Sequence, residues 1–193
     1  MSALWHEFGS IMAVVYNTEI DQGADWYINF IYTQPATITN IVGDGTTVTF
    51  TAENGFTTGQ TVSINGVLPS QYNFQDVTIA SAGPTVFTVT NGATGTYISG
   101  GIATSPANLS GYTAALQVRS LPSSPEKVLD LTTSNGGIAI TAAQGKVAVH
   151  ATAAQTAAID DGVYVYDCEI TSQGGIVTRL VQGQVVVSPE VTR

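Results

Sequence analysis

The stretch DDGVYVYDCEI, residues 160–170, decides the fold class of this chain. Its side chains alternate in character, as they do in a strand that buries one face. The aromatic and apolar positions that share one side are Tyr164, Tyr166, Cys168 and Ile170. Asp167 and Glu169 share the other side, and an Asp pair before Gly162 is typical of a turn. The pattern predicts a turn that leads into a core strand over 163–170.

The start of this run resembles the tyrosine corner of immunoglobulin-like sandwiches, where an Asp-x-Gly-x-Tyr-x-Cys run opens a core strand. Asp160, Gly162 and Tyr164 fit that pattern. Tyr166 stands where the disulfide cysteine would be, and Cys168 follows two residues later. The resemblance implies an immunoglobulin-like β-sandwich without its disulfide, in which Gly162, Tyr164 and Cys168 have structural roles.

Charge is scarce in this chain. Charged residues are 10% of the 193 residues and hydrophobic residues are 44%, whereas ordinary soluble domains carry about 25% charged residues. A core can therefore form, and we expect a surface with so little charge to be covered in part by partners. The formal net charge of −9 repels phosphate and disfavours nucleic acid as a ligand.

The single cysteine and the first residues bear on the cellular compartment. One cysteine cannot form an internal disulfide, so the fold does not depend on oxidation. The opening MSALWHEFGSIMAVVY has no Lys or Arg and only a short apolar run, which fits neither a signal peptide nor a membrane span. We expect assembly in a reducing cytoplasm and no membrane partner.

Most of the remaining sequence also has the pattern of strands. Segment 112–119, YTAALQVR, alternates most cleanly between apolar and polar positions. Gly145 marks a hairpin turn, 153–159 is the one helix-like segment, and Gly183 is expected to mark a β-bulge. Further strands are predicted near 12–19 and at 26–33, 128–132, 138–141, 146–151 and 176–188. About eight strands at this spacing favour a sandwich.

Residues 36–102 differ from their surroundings. They are rich in Thr, Gly, Asn and Val and contain no Lys or Arg. Asp44-Gly45 and Asn65-Gly66 are turn signals. The short strands predicted here are 38–42, 47–51, 61–65, 76–80 and 86–90. We interpret 36–102 as a small β-roll or barrel inserted at a hairpin tip of a discontinuous β-sandwich host, residues 1–35 and 103–193.

An ordered series of stretches in the host resembles a known family. The series is IDQGADWYINFIY (20–32), NLSGYTAALQVR (108–119), LTTSNGGIAI (131–140), GKVAVHATAAQTAAI (145–159), DGVYVYDCEI (161–170) and GGIVTRLVQGQVVVSPEVTR (174–193). With this series, the host resembles a structural module of tailed phages and prophages that is related to the N-terminal region of siphophage baseplate upper proteins. Within the insert, 48–67 resembles β-modules of phage tail-fibre and virion proteins. The resemblance implies a virion part that docks or decorates.

Catalytic and metal-binding patterns do not stand out. No GxSxG, P-loop or HExxH motif occurs, and His6 and His150 are isolated in the sequence. Cys168 shares a face with tyrosines, which predicts a buried, inert thiol. The aromatic face of Trp26 is interpreted as core, with a sugar platform as the alternative. The sequence therefore predicts no enzyme, no cofactor and no metal site.

Two groups of residues are candidate partner contacts. The N-terminal segment carries large apolar side chains spaced so that one side could lie on a neighbour, namely Leu4, Trp5, Phe8 and Ile11. Tyr72 and Phe74 lie in the polar connection LPSQYNFQD. That connection is either a loop folded back on its own module or a tip that contacts a partner.

These observations favour a non-enzymatic phage virion structural protein, assembled in the host cytoplasm, with other virion proteins and further copies of itself as partners. A tail or baseplate adaptor is the first interpretation. The alternatives are a head decoration (cement) protein and a glycan-binding module.

Overall fold

The computed structural model describes residues 13–191 and, as backbone, residues 5–8. The chain is all-β with sandwich-like sheets. Within the described residues no sheet closes into a barrel, so the barrel considered for 36–102 is not formed.

The strands follow one another with few interruptions. The first four are β1 (Trp5–Phe8), β2 (Val14–Val15), β3 (Thr18–Asp21) and β4 (Trp26–Thr37). The middle strands are β5 (Asn40–Asp44), β6 (Thr47–Thr51), β7 (Thr61–Leu68), β8 (Phe74–Gly83), β9 (Val86–Thr90), β10 (Thr94–Thr96) and β11 (Ser99–Pro106). The last are β12 (Thr113–Arg119), β13 (Leu129–Thr132), β14 (Ile138–Thr141), β15 (Lys146–Ala151), β16 (Gly162–Thr171) and β17 (Val177–Ser188). One short helix, α1 (Ala153–Ala157), and 3-10 turns at Ser70–Tyr72 and Ala142–Gln144 complete the described secondary structure.

The chain divides into two compact units. Unit 1 contains the chain up to Ile31, Leu109–Ala142 and the chain from Lys146. Unit 2 contains Tyr32–Asn108 and Ala143–Gly145. The segment expected to be inserted, 36–102, lies wholly within unit 2.

Unit 1 contains strands of two sheets. In one, β15 lies between β14 and the first half of β4, with antiparallel pairing throughout. In the other, the order is β13-β12-β16-β17, and the short strands β2 and β3 pair with β17. Each sheet buries one face, as the alternating side chains require. The helix α1 begins with a capping box at Thr152 and Gln155, and its Thr156 hydroxyl donates to Ala24 O at 2.8 Å.

The strand β17 has an extra residue at Leu180, not at Gly183. Cys168 is opposite Val181, but the next residue, Glu169, is opposite Arg179, so Leu180 has no partner in the register. Gly183 stays in register opposite Tyr166. A Cβ at Gly183 would collide with Tyr16 O, so this glycine permits a close approach of backbone. The sequence prediction of a bulge at Gly183 is wrong, because a glycine in a strand marks either feature.

The region near 12–19 forms two short strands where one was expected. Both run parallel to β17, with Val15 opposite Gln182 and Thr18 opposite Val185. Between them, Tyr16 N donates to Gln182 O at 2.9 Å. The Asn17 side chain accepts from Gln184 N at 2.9 Å and continues the ladder where the backbone leaves it.

Unit 2 is an antiparallel sheet in the order β10-β5-β6-β9-β8-β7-β11-β4. Its core cluster extends from Ala36 to Ala103 in the sequence and includes a stacked pair, Phe50 and Phe87, with ring centroids 4.9 Å apart. At the predicted Asp44-Gly45 turn, Asp44 Oδ1 accepts hydrogen bonds from Thr47 N and Thr46, and these bonds lower the pKa of that carboxyl.

The loop 69–73 folds back onto unit 2. Tyr72 is fully buried, and its hydroxyl donates to Gly95 O at 2.7 Å. The Asn73 amide accepts from Val67 N at 2.8 Å and donates to Val67 O at 3.1 Å. Phe74 is half-buried and meets Phe50 edge-on. The Tyr72 ring lies in the core, as in the folded-back alternative for this connection, and a partner contact through Tyr72 and Phe74 stays a prediction.

We predict that unit 1 folds without most of unit 2. Thr37 and Ile102 are directly opposite each other in the register of β4 and β11, so a two-residue Asp-Gly turn can replace 38–101. Among the described residues, every member of the core cluster of unit 2 lies between 36 and 103, so the shortened chain loses no buried residue of unit 1. Urea unfolding should stay cooperative, with an m-value lower by roughly a third because less surface becomes exposed. A shortened chain without a cooperative transition contradicts the prediction.

Candidate functional site

The outer face of the β12-β16-β17 sheet is polar around Asp167 and Glu169. Alternation along β16 places Asp167 and Glu169 on the face opposite to the buried Cys168. The register then places Gln117 and Gln182 on either side of Asp167. Because adjacent strands lie about 4.8 Å apart, these side chains are direct neighbours.

A groove of about 740 Å³ lies on this face, within unit 1. That volume falls within the range of about 300–1,000 Å³ that small-ligand sites occupy. The lining is Val15, Asn17, Gln117, Arg119, Pro122, Val165, Tyr166, Asp167, Glu169, Arg179, Gln182, Gly183 and Gln184. Amide and charged groups therefore outnumber the apolar ones.

Arg179 holds both carboxylates of the groove. Its Nε lies 3.2 Å from Asp167 Oδ2, and its Nη2 lies 3.1 Å from Glu169 Oε1. The same guanidinium donates from Nη1 to Gln182 Oε1 at 3.2 Å. All three partners are at least partly exposed, so this cluster fixes side-chain positions more than it stabilises the fold.

Arg119 is held at the other end of the same face. Its Nη2 donates to Gln117 Oε1 at 2.7 Å, and its Nη1 donates to the backbone oxygens of Ser124 and Pro125. The two arginines thus occupy the amide oxygens of Gln117 and Gln182. Each Nε2 amide of these glutamines has no hydrogen-bond acceptor among the described residues.

The charges of the groove influence one another. Burial raises the pKa of the Asp167 carboxyl above its ordinary value, Arg179 and Arg119 oppose that rise, and Glu169 adds to it. The two guanidinium groups balance the two carboxylates in formal charge, so the groove itself is neutral although the chain is acidic.

The structural residues predicted from 160–170 lie beside this site. Tyr164 is half-buried, and its hydroxyl donates to Asp160 O at 2.9 Å, four residues upstream. Gly162 begins β16, where a Cβ would lie 3.6 Å from the Tyr164 ring. Cys168 is fully buried on the core face, and burial raises its thiol pKa. Tyr166 is also buried and donates to Tyr16 O at 2.7 Å.

The N-terminal candidates are only partly within the described residues. Leu4 and Ile11 lie outside them, and Trp5 and Phe8 belong to β1, which is described as backbone. The apolar contact expected from these four residues therefore stays a prediction. His6 belongs to the same strand.

An exposed aromatic pair lies on the β4-β15 sheet. Trp26, whose face was expected to be core, is 6% exposed, whereas its neighbour Tyr27 is 59% exposed. The Tyr27 and His150 rings stack with centroids 4.4 Å apart, and His150 Nε2 lies 3.3 Å from Asp25 Oδ1. Asp25 Oδ1 also accepts from Ala153 N at 2.9 Å, so the carboxylate joins the histidine to the start of α1.

The sequence alone does not predict the groove, although the polar strand faces that form it are visible in the sequence. The polar faces of 112–119 and 163–170 were recognised separately. These two polar faces become one surface only because β12 pairs with β16, and Arg179 joins them because of the extra residue Leu180 in β17. Neither feature is visible in a local sequence pattern.

Among the described residues, no three His, Cys, Asp or Glu side chains converge as metal ligands would. No helix in the described part of the chain has the length and apolar character needed to cross a membrane. No protein-family model matches the chain, and no curated protein matches it.

The hydroxyl groups of Tyr164 and Tyr166 should contribute differently to the free energy of unfolding. Tyr166→Phe removes the hydroxyl that donates to Tyr16 O beside the core, and we expect a loss of about 1–3 kcal/mol in the free energy of unfolding. Tyr164→Phe should cost only about 0.5–1.5 kcal/mol, because water can reach the Asp160 carbonyl. Urea unfolding of both variants measures the difference, and the reverse order would contradict it.

Asp167 should make stability depend on pH. The raised pKa means that the folded protein binds the Asp167 proton more tightly than the unfolded chain does. The stability that Asp167 contributes is therefore present below a pH of about 4, the ordinary pKa of Asp, and is lost as the pH rises through the raised pKa of the folded state. Asp167→Asn should therefore lose less stability than the parent protein over that window. Urea unfolding at a series of pH values measures this.

Glu169→Gln is the matched control for this titration. The charge of Glu169 adds to the raised pKa of Asp167, but burial is the larger cause. Glu169→Gln should therefore narrow the pH range over which stability falls, without abolishing the fall. Parallel pH profiles for the parent and Asp167→Asn would show that Asp167 titrates alike in the folded and unfolded states.

Proposed function

We propose that this protein is a non-enzymatic structural subunit of a tailed-phage particle, acting as a tail or baseplate adaptor. It is made in the host cytoplasm, becomes part of the virion, and contacts other virion proteins and further copies of itself. The same kind of docking on the head, as a decoration protein, is the alternative location.

The observation that carries the proposal is the apolar character of an exposed surface. Val163 is 61% exposed and Val186 is 44% exposed, and the two are directly opposite each other on β16 and β17. Further exposed large apolar side chains of unit 1 include Val15, Leu121, Ile176 and Val177. With only 10% charged residues to keep neighbours apart, such a surface favours association.

We further propose that unit 1 is an immunoglobulin-like sandwich and that unit 2 is a β-roll inserted into it. The hydrogen bond from Tyr164 to Asp160 O supports the first part, since a tyrosine corner makes this kind of local bond. The adjacency of Thr37 and Ile102, at the two ends of the inserted segment, supports the second part.

Two further observations support a structural role. The ordered series of host stretches between 20 and 193 resembles the docking region of siphophage baseplate upper proteins. The carboxylates of Asp167 and Glu169 are both held by Arg179, which is an arrangement that fixes a surface rather than one that leaves a free acid and base.

The test is binding of the purified protein to particles that lack it. We expect binding that changes little between low and high salt, because an apolar contact is not screened. The double variant Val163→Ser and Val186→Ser should bind at least ~10-fold more weakly, since each buried valine side chain contributes on the order of 1.5 kcal/mol or more. Deletion of residues 1–11 tests the N-terminal contact separately.

Ile98→Ser is the matched control, because Ile98 is an exposed apolar residue of unit 2. It should leave binding unchanged if docking uses unit 1. A protein that stays monomeric and never binds particles at either salt concentration contradicts the proposed function. Imaging of labelled particles then distinguishes tail from head.

A further inference from the structure

We propose that the polar groove on the outer face of unit 1 binds a neutral saccharide chain. The groove has about 740 Å³ of space, and its polar groups belong to three adjacent strands in fixed register. Saccharide binding here goes beyond the particle role proposed above and holds with or without it.

The charges in the groove exclude a strongly charged ligand. Asp167 and Glu169 are both within 3.2 Å of Arg179, and Arg119 is held by an amide and two backbone oxygens. A phosphate or sulfate group would have to break these contacts and also meet a chain of net charge −9. A neutral ligand meets neither obstacle.

The unused hydrogen-bonding groups match hydroxyl groups. The Nε2 amides of Gln117 and Gln182 are donors without an acceptor among the described residues, because the arginines occupy the amide oxygens. Asp167 Oδ1 and Glu169 Oε2 are acceptors without a donor in the same part of the chain, since Arg179 contacts the other oxygen of each carboxylate. A sugar hydroxyl both donates and accepts, so it can pair with both sets at once.

Apolar walls accompany these polar groups. Val15 is largely exposed at one side of the groove, and Val165 and Pro122 also line it. Such side chains can pack against the C–H faces of sugar rings while the ring hydroxyls reach the amides. The held conformations of Gln117 and Gln182 reduce the entropy that binding must remove.

The sheet geometry favours a saccharide over an extended peptide. The floor of the groove is a sheet face, where the backbone groups of β12, β16 and β17 are already paired with one another. A peptide could not add a strand there and would bury its own N–H and C=O groups against side chains alone. A saccharide has no such ladder to satisfy.

The experiment is titration of the purified full-length protein with neutral oligosaccharides. The probes are hexasaccharides of glucose, galactose, mannose and N-acetylglucosamine, followed by calorimetry and by backbone amide chemical shifts. Because a Kd of about 1 mM is the weak end of specific binding, the titrations extend to about 10 mM. We expect saturable binding of at least one probe, with shifts confined to 115–119, 165–169 and 179–184, and little dependence on salt.

Gln184→Trp tests the location, because Gln184 is exposed at the groove and an indole there would occupy part of the space that a sugar ring needs. We expect at least ~10-fold weaker binding, about the loss that one well-placed contact gives. Gln173→Trp is the matched control, since Gln173 lies exposed in the turn of the same β16-β17 hairpin and outside the groove lining. Gln182→Ala provides a second groove variant, and a melting curve shows that each variant is folded.

Several results would overturn the proposal. No saturable binding of any of the four probes would do so, as would equal binding by the parent and both folded groove variants. Binding of a neutral peptide library in this groove, with no saccharide binding, would reassign the site to a polypeptide partner.

Discussion

The register of β16 between β12 and β17 is the constraint on which both faces of this sheet depend. Each residue of β16 from Gly162 to Thr171 has a defined partner in the register with β17, and most also have one in β12. β16 is the central strand of its sheet. A shift by one residue would expose Tyr166, Cys168 and Ile170 and would bury two carboxylates. The same strand register therefore determines both the buried core face and the groove face of this sheet.

The two faces of β16 are joined through single side chains. Tyr166 is buried, lines the groove, and bonds the backbone between β2 and β3 through its hydroxyl. Gly183 lies opposite Tyr166 and lets that backbone approach closely. The pairing of β2 and β3 with β17 thus depends on one large residue and one residue without a side chain, placed on neighbouring strands.

Much of the strand content could be predicted from the sequence, because period-two alternation is a local signal. Segments such as 112–119 and 163–170 differ from the observed strands by one residue at most at either end. The parallel pairing of β2 and β3 with β17 could not be predicted, since residues near 15 and 182 meet only through the fold. Tyr72 was expected to be either folded back or exposed, and Asn73 and Gly95 decide this through hydrogen bonds that no local pattern shows. The groove needed the same long-range knowledge.

The extra residue in β17 affects how this sequence can vary. Arg179 and Gln182 are three positions apart, so a regular strand would place them on opposite faces. Leu180 and Val181 are both buried in succession, which returns Arg179 and Gln182 to the same side. Loss of one residue between 179 and 182 would leave Arg179 and Gln182 two positions apart, the spacing at which a regular strand also places both side chains on one face. A related chain that lacks the extra residue can therefore keep the guanidinium and its amide together on the groove face, and only the bulge itself would be lost.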